Sequence, residues 1–282
     1  MKKIIFLSII ILSLLIFASC RRAIVATPDV QVVSAKNMTF DANDSVWNNA
    51  PTHVSKLILQ DLVEPRLLEP STPEIQVKAI TNGTEIAFRL EWIDETQNDL
   101  PEPNHFIDGC AVQLPAKIDP NVPAPQMGEV GKTVEISYWR ADWQAIIEGR
   151  ADSITSIYPN ASVDHYPFEA KSLEKDPQAQ SETASRYAPA RALGNRRAGP
   201  RDQPVEDLIA DGPGTLSPAP NAVSKGKGSR TAKGWAVVIT RPVPSGFSVT
   251  TPSQIAFAIW QGSHLEVGAR KMRTGWVPMI MK

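Results

Sequence analysis

The sequence predicts an all-β fold, an antiparallel immunoglobulin-like β-sandwich with long loop excursions, and three observations carry that prediction. Short runs over residues 74–80, 85–92, 133–138 and 235–239 read as strands of period two, the first three alternating apolar with polar residues and the last wholly apolar. Asn82-Gly83, Gly128, Gly131 and many of the 24 prolines punctuate these runs and oppose long helices. A mature chain of about 260 residues could form one large all-β domain or two smaller ones, and the pattern of short runs favours one.

At the start, Lys2 and Lys3, an apolar core over residues 4–17 and Ala18-Ser19-Cys20 read as an export signal spanning residues 1–19. The apolar stretch is short for a membrane span. Cys20 stands where a bacterial lipoprotein places its acylated cysteine, so the mature chain is expected to begin there as a membrane-anchored lipoprotein in the periplasm or another extracytoplasmic space. Phe17 departs from the usual aliphatic residue three positions before that cysteine, which keeps cleavage without acylation as the alternative. Residues 20–39 read as a linker and residues 40–282 as the folded domain. With Cys20 committed, Cys110 stands alone, which excludes both an intrachain disulfide and a Cys-x-x-Cys-His haem attachment. The net charge of −1, more acidic once Lys2 and Lys3 are removed, gives no electrostatic footprint for nucleic acid.

Along the domain, residues 41–47 form an expected loop that brings Trp47 onto the core, and three prolines within residues 65–73 precede the first well-marked strand pair. Residues 154–231 are rich in Ala, Pro, Ser, Gly, Arg and Lys with little periodicity, and read as a long excursion. Its basic stretches, 191–201 and 225–233, read as solvated loop charge or as surfaces facing an anionic group. Strands resume at Trp235 and again at Gln254.

Two donor side chains stand next to apolar, strand-like sequence. Met127 lies in Pro125-Gln126-Met127-Gly128, an odd place for a packing methionine, with Gly128 allowing a tight turn beside it. Lys271 follows Gly268-Ala269-Arg270 and precedes Trp276; an amine binds a metal only after losing its proton, which burial favours. Left to context alone, these are a core methionine and a surface lysine. His264 is the imidazole nearest to Lys271 in sequence and the commoner type of iron ligand. His53, His105 and His165 read as loop residues, and Asp108 as a turn or strand-end residue.

The stretches Ile107-Asp108-Gly109-Cys110-Ala111-Val112-Gln113-Leu114-Pro115, Met127-Gly128, Gly194-Asn195, Gly212-Pro213-Gly214-Thr215-Leu216, Trp235-Ala236-Val237-Val238-Ile239-Thr240-Arg241-Pro242 and Trp260-Gln261-Gly262 with Lys271 occur in a telling order. In that order the chain resembles the haem b, or gamma, subunit of type II DMSO-reductase-like molybdenum enzymes, the ethylbenzene, dimethyl sulfide, selenate, chlorate and nitrite-oxidising complexes. The resemblance covers roughly residues 40 to 282. It implies one non-covalent haem b enclosed by the sandwich, with Met127 and Lys271 as axial iron ligands; His264, at a position the family leaves variable, is the rival for the second place on chemical grounds. It also implies a non-catalytic electron-transfer subunit, partnered by an iron–sulfur subunit and a molybdenum-cofactor catalytic subunit and exchanging electrons with an external carrier such as a c-type cytochrome.

No Walker lysine follows Gly226-x-Gly228, no Gly-x-Ser-x-Gly elbow occurs, and no paired carboxylates stand in a recognisable context. That pattern suits a protein whose chemistry lies in a cofactor. Two other readings stand beside it. One is a carbohydrate- or surface-binding sandwich that uses its seven tryptophans as a stacking platform, and the other is a free-standing haem protein.

Overall fold

The computed structural model describes residues 26–151, 154–161, 175–187, 190, 193–195, 197 and 201–282. Cys20, the export signal and His165 lie outside the described residues. In chain order, β1 (Val30–Ser34) leads into a 3₁₀ turn at Ser45–Asn49, then β2 (His53–Lys56), β3 (Ile58–Leu59), β4 (Glu74–Thr81) and β5 (Glu85–Ile93). Next come β6 (Gly109–Pro115), β7 (Val134–Arg140) and three short helices, α1 (Ala141–Ile147), α2 (Ile154–Ile157) and α3 (Pro177–Tyr187). The remainder holds β8 (Val205–Ala210), β9 (Ser217–Pro218), β10 (Lys225–Arg230), β11 (Gly234–Pro242), β12 (Ser253–Trp260), β13 (Met272–Arg273) and β14 (Val277–Met281). Among the described residues no helix is long and apolar enough to cross a membrane.

The strands build two stacked sheets joined through β12. The first runs β10-β11-β5-β4-β1-β14, with β2 also on β4; the second runs β12-β6-β7-β8-β9, with β13 and β3 on the far side of β12. β12 belongs to both, because Ser253–Ile255 pair with β14 and Ala256–Trp260 with β6. The period of two sends Val77, Phe88, Leu90, Val237 and Ile239 of one sheet against Val112, Leu114, Phe257 and Ile259 of the other. Each such side chain contributes about 1.5–3 kcal/mol through burial. Trp139 fills the middle, edge-on to Trp235 at 5.1 Å and to Trp92 at 6.4 Å.

Three sequence expectations are corrected here. Residues 30–34, assigned to the linker, form β1, which is inserted between β4 and β14 and runs parallel to both, so the sandwich is antiparallel except at this strand. The stretch 154–231 is not one excursion. β8 pairs with β7 along six residues and β10 pairs with β11 along six. Their sequences hid them for physical reasons: β8 carries Glu206, ion-paired to Arg197, and Asp207, which accepts from Val223 N, Ser224 N and the Ser224 hydroxyl. β10 alternates glycine with exposed lysine because it passes directly over Trp139, where a Cβ on Gly228 would lie 2.2 Å from the indole. Charge on this edge strand also discourages pairing with other chains. Lastly, His53 is not a loop residue; it is buried in β2, with Nδ1 2.8 Å from Thr27 O and Nε2 2.8 Å from Ser55 Oγ.

Candidate functional site

The strand residues that point away from the core on the second sheet form an apolar face. Its floor is made of small side chains, since the register sets Ala258 beside Ala111 and Ala111 beside Tyr138, with Ala256 beside Gln113 in the next row. Ile136, Tyr138, Leu208 and Trp260 stand around this floor, and Met127 and Trp276 pack on it from outside the sheet. Tyr138 and Trp260 lie 4.9 Å apart and border a groove of about 370 Å³ that is also lined by Phe106, Ile107, Arg140 and Val267.

Met127 reaches this face from a turn that the rest of the fold holds rigidly. Its own φ is 66° and that of Gly128 is 81°. For a methionine, the left-handed region costs roughly 1 kcal/mol. Gly128 is required, because a Cβ there would lie 2.8 Å from Lys132 O and 2.9 Å from Ala210 O. Four hydrogen bonds pin the segment: Trp276 Nε1 to Pro123 O at 2.6 Å, Gln113 Nε2 to Pro125 O at 2.9 Å, Gly128 N to Ala124 O at 2.9 Å and Gly212 N to Met127 O at 2.8 Å. A strained residue held this firmly is a mark of function.

Lys271 arrives from the other side, at the end of the loop over residues 261–270. Trp260 Nε1 donates to Gly268 O, Gln60 Nε2 to Ala269 O and Gln60 N to Lys271 O, each at 3.1 Å. The half-buried Lys271 ammonium sits 5.1 Å from the centre of the Trp260 ring. Among the described residues it has no hydrogen-bond acceptor and no carboxylate. Burial first, and then the neighbouring Arg273 charge, bring its pKa down to about 8, so the neutral amine is within reach near neutral pH.

Behind the loop lie buried acids. Asp108, at the entry to β6 as expected from sequence, accepts from Asn98 N at 2.8 Å, Gly262 N at 2.9 Å and Trp235 Nε1 at 3.0 Å. Burial nonetheless raises it to about 6. Glu266 accepts from Gln261 N at 2.8 Å and from the Ser71 hydroxyl, and burial raises it to about 7. These carboxyls brace the loop that delivers Lys271.

The structure thus brings Met127 and Lys271 to one apolar face. His264 stays apart, exposed in the 3₁₀ turn Gly262–His264. Cys110 faces the core as a buried free thiol, its pKa pushed up by burial. Of the basic stretches, 225–230 is strand β10, and Arg201 stacks 3.6 Å from the Trp143 ring. The tryptophan platform is overturned: Trp47, Trp92, Trp139, Trp143, Trp235 and Trp260 are buried and Trp276 is half-buried, so their rings are not presented for sugar stacking. Sequence reasoning missed Arg273, Gln113 and the alanine floor. The available signal was the i, i+2 spacing of Lys271 and Arg273, which puts both on one face of a strand.

The donor set can be tested against a haem. A soft thioether, an amine that deprotonates easily, aromatic walls and a small-residue floor fit an apolar macrocycle with an iron at its centre. Among the described residues no cluster of His, Cys, Asp and Glu forms an alternative metal centre.

Fold and face together define a β-sandwich with Met127 and Lys271 beside one apolar outer sheet surface. The chain belongs to the ethylbenzene dehydrogenase family, whose model matches residues 44–272. It is 21% identical over 254 residues to a protein named putative respiratory nitrate reductase heme subunit ORF7 from Haloferax mediterranei, covering 88% of this chain and 70% of that protein. It is also 21% identical over 230 residues to chlorate reductase subunit gamma from Ideonella dechloratans, covering 79% and 71% respectively. Among solved structures, a family 9 carbohydrate-binding module from Caldicellulosiruptor kristjanssonii in complex with glucose aligns over 89% of this chain and 95% of that one. At 10% identity and a TM-score of 0.42, that likeness is too loose to argue from.

Proposed function

We propose that the chain binds one b-type haem between Met127 Sδ and Lys271 Nζ and serves as the electron-transfer subunit of an exported molybdenum oxidoreductase. The observation that carries this reading is the convergence of a strained, four-fold-pinned methionine and an unpartnered, half-buried lysine on one apolar face. The family membership and the names of the two relatives, a heme subunit and a gamma subunit of reductases, support it.

A bound haem b supplies a one-electron couple. The protein's part is to hold and insulate it. Met127 offers a thioether that favours the ferrous state, and Lys271 offers a stronger amine donor; two protein ligands leave no open position for substrate. Ala111, Ala256 and Ala258 keep the sheet surface low, while Tyr138, Trp260 and Trp276 exclude water. In this reading electrons pass between an iron–sulfur subunit, which serves a molybdenum-cofactor catalytic subunit, and an external carrier such as a c-type cytochrome. Cys20 acylation would tether the domain to a membrane in the periplasm or another extracytoplasmic space, since two or more acyl chains hold a protein stably there.

The test is spectral. The purified exported chain should show a Soret band and a low-spin spectrum, and Met127→Ala or Lys271→Ala should deplete haem or turn the iron high-spin. His264→Ala should leave the spectrum unchanged. Low-spin spectra retained in both ligand variants would sink the assignment.

A further inference from the structure

Arg273 follows Lys271 by two residues on β13 and pairs with Ala258 of β12, so its side chain leaves the strand on the same outer face as the alanine floor. It is 8% exposed. Among the described residues its Nε has no hydrogen-bond partner, and the only bond its side chain makes is Nη1 to Thr274 O at a stretched 3.5 Å. Among the described residues it makes no ion pair. The charge of Asp61 is felt there, but that carboxylate is exposed and stands outside ion-pair distance.

A buried guanidinium in this condition is costly, because a charge taken out of water needs a counter-charge and hydrogen bonds to its protons. Lysine can relieve such a cost by shedding its proton; arginine cannot. The Lys271 ammonium two residues away adds repulsion. The missing component is therefore an anion with planar, two-oxygen geometry, which the guanidinium fork matches best.

We propose that Arg273 is the anchor for a carboxylate of the bound macrocycle, an inference that rests on the haem reading above. Haem b carries two propionates, and one of them paired with Arg273 would satisfy the orphaned Nε, neutralise the buried charge and fix the rotation of the ring about the Met127–Lys271 axis. Arg273 then acts as a positioning residue on the cofactor rather than as an iron ligand.

The experiment titrates the haem-free exported chain with haem b and, separately, with haem b dimethyl ester, which keeps the ring and iron but removes both carboxylates. Wild type should prefer the free acid by roughly tenfold or more, the scale of a charge-assisted bidentate pair. Arg273→Gln should lose most of that preference while keeping a low-spin spectrum, and Arg273→Lys should recover part of it. Equal preference in wild type and Arg273→Gln overturns the proposal, as does a wild type that binds acid and ester alike, a comparison that needs no variant to fold. Failure of the haem reading looks different: wild type then binds neither compound with a low-spin spectrum, and the proposal for Arg273 falls with it.

Discussion

The two outer faces of the sandwich start from the same materials and end differently. On the first sheet, Ile80, Ala87, Ala236 and Val238 are covered by the chain itself, through Ala42, Trp47 and Ala50 of the segment around the 3₁₀ turn. That face also carries two half-buried cations, and both are answered. Lys78 Nζ donates to Trp47 O at 2.7 Å, while Arg89 donates through Nε to Ala42 O at 2.6 Å and pairs with Glu91 at 2.8 Å. On the second sheet, Lys271 and Arg273 face a floor of alanines with no such answer among the described residues. One face is finished by its own polypeptide. The other leaves an amine and a guanidinium without acceptors of this kind among the described residues, and in the proposed reading a ligand supplies a metal for the first and an anion for the second.

The contrast can be broken from the closed side first. Trp47 is 2% exposed and its indole donates to Asp41 O at 3.0 Å. Trp47→Ala should cost roughly 3–5 kcal/mol of folding stability through the cavity it leaves, while the spectrum of bound haem stays as in wild type. Chemical denaturation and absorption spectroscopy on the same sample check both halves. A large spectral change would show that the faces are coupled.

On the open side, Glu266 gives a pH test. Its folded pKa, raised by burial to about 7 from an ordinary 4.5, means that the stability contributed by the neutral acid is complete below about pH 4.5 and is lost as pH rises through about 7. Glutamine can still accept from Gln261 N and can donate to the Ser71 hydroxyl. Glu266→Gln should therefore melt close to wild type at pH 5 and higher at pH 8, by a gain on the order of 2 kcal/mol, or roughly 4–8 °C. A pH-independent difference between the two proteins would rule out ionisation of Glu266 as the cause.

The smallest expected effect sharpens the role of the methionine turn. Gln113→Ala removes the bond to Pro125 O, worth about 1 kcal/mol, and loosens the segment that aims Met127. A modest rise in the high-spin fraction is expected, with little change in melting temperature. If the melting temperature falls and the spectrum does not move, Gln113 serves the fold alone.

The sequence was legible wherever the pleat left its mark. β4, β5 and β7 bury mainly one side, so their residues alternate, while β11, buried on both faces, reads as an apolar run; Met127 and Lys271 stood out through the motifs around them. β8 and β10 were not legible because their compositions answer to tertiary partners: Arg197 for Glu206, a backbone clamp for Asp207 and the Trp139 ring for Gly228. Arg273 carried a local signal in its spacing from Lys271, but its burial follows only from the placement of β13 beside β12.

By itself, then, the chain determined a two-layer all-β architecture and the family to which it belongs, and it singled out Met127 and Lys271 as candidates, since periodicity and motif are properties of neighbours in sequence. Tertiary structure decided that both side chains lie by the outer face of the second sheet, that His264 is exposed and that a guanidinium is buried near Lys271 with no counter-charge among the described residues. Those outcomes depend on which strands become neighbours. Burial and hydrogen-bond satisfaction are set by groups far apart in the chain, and no local pattern records them.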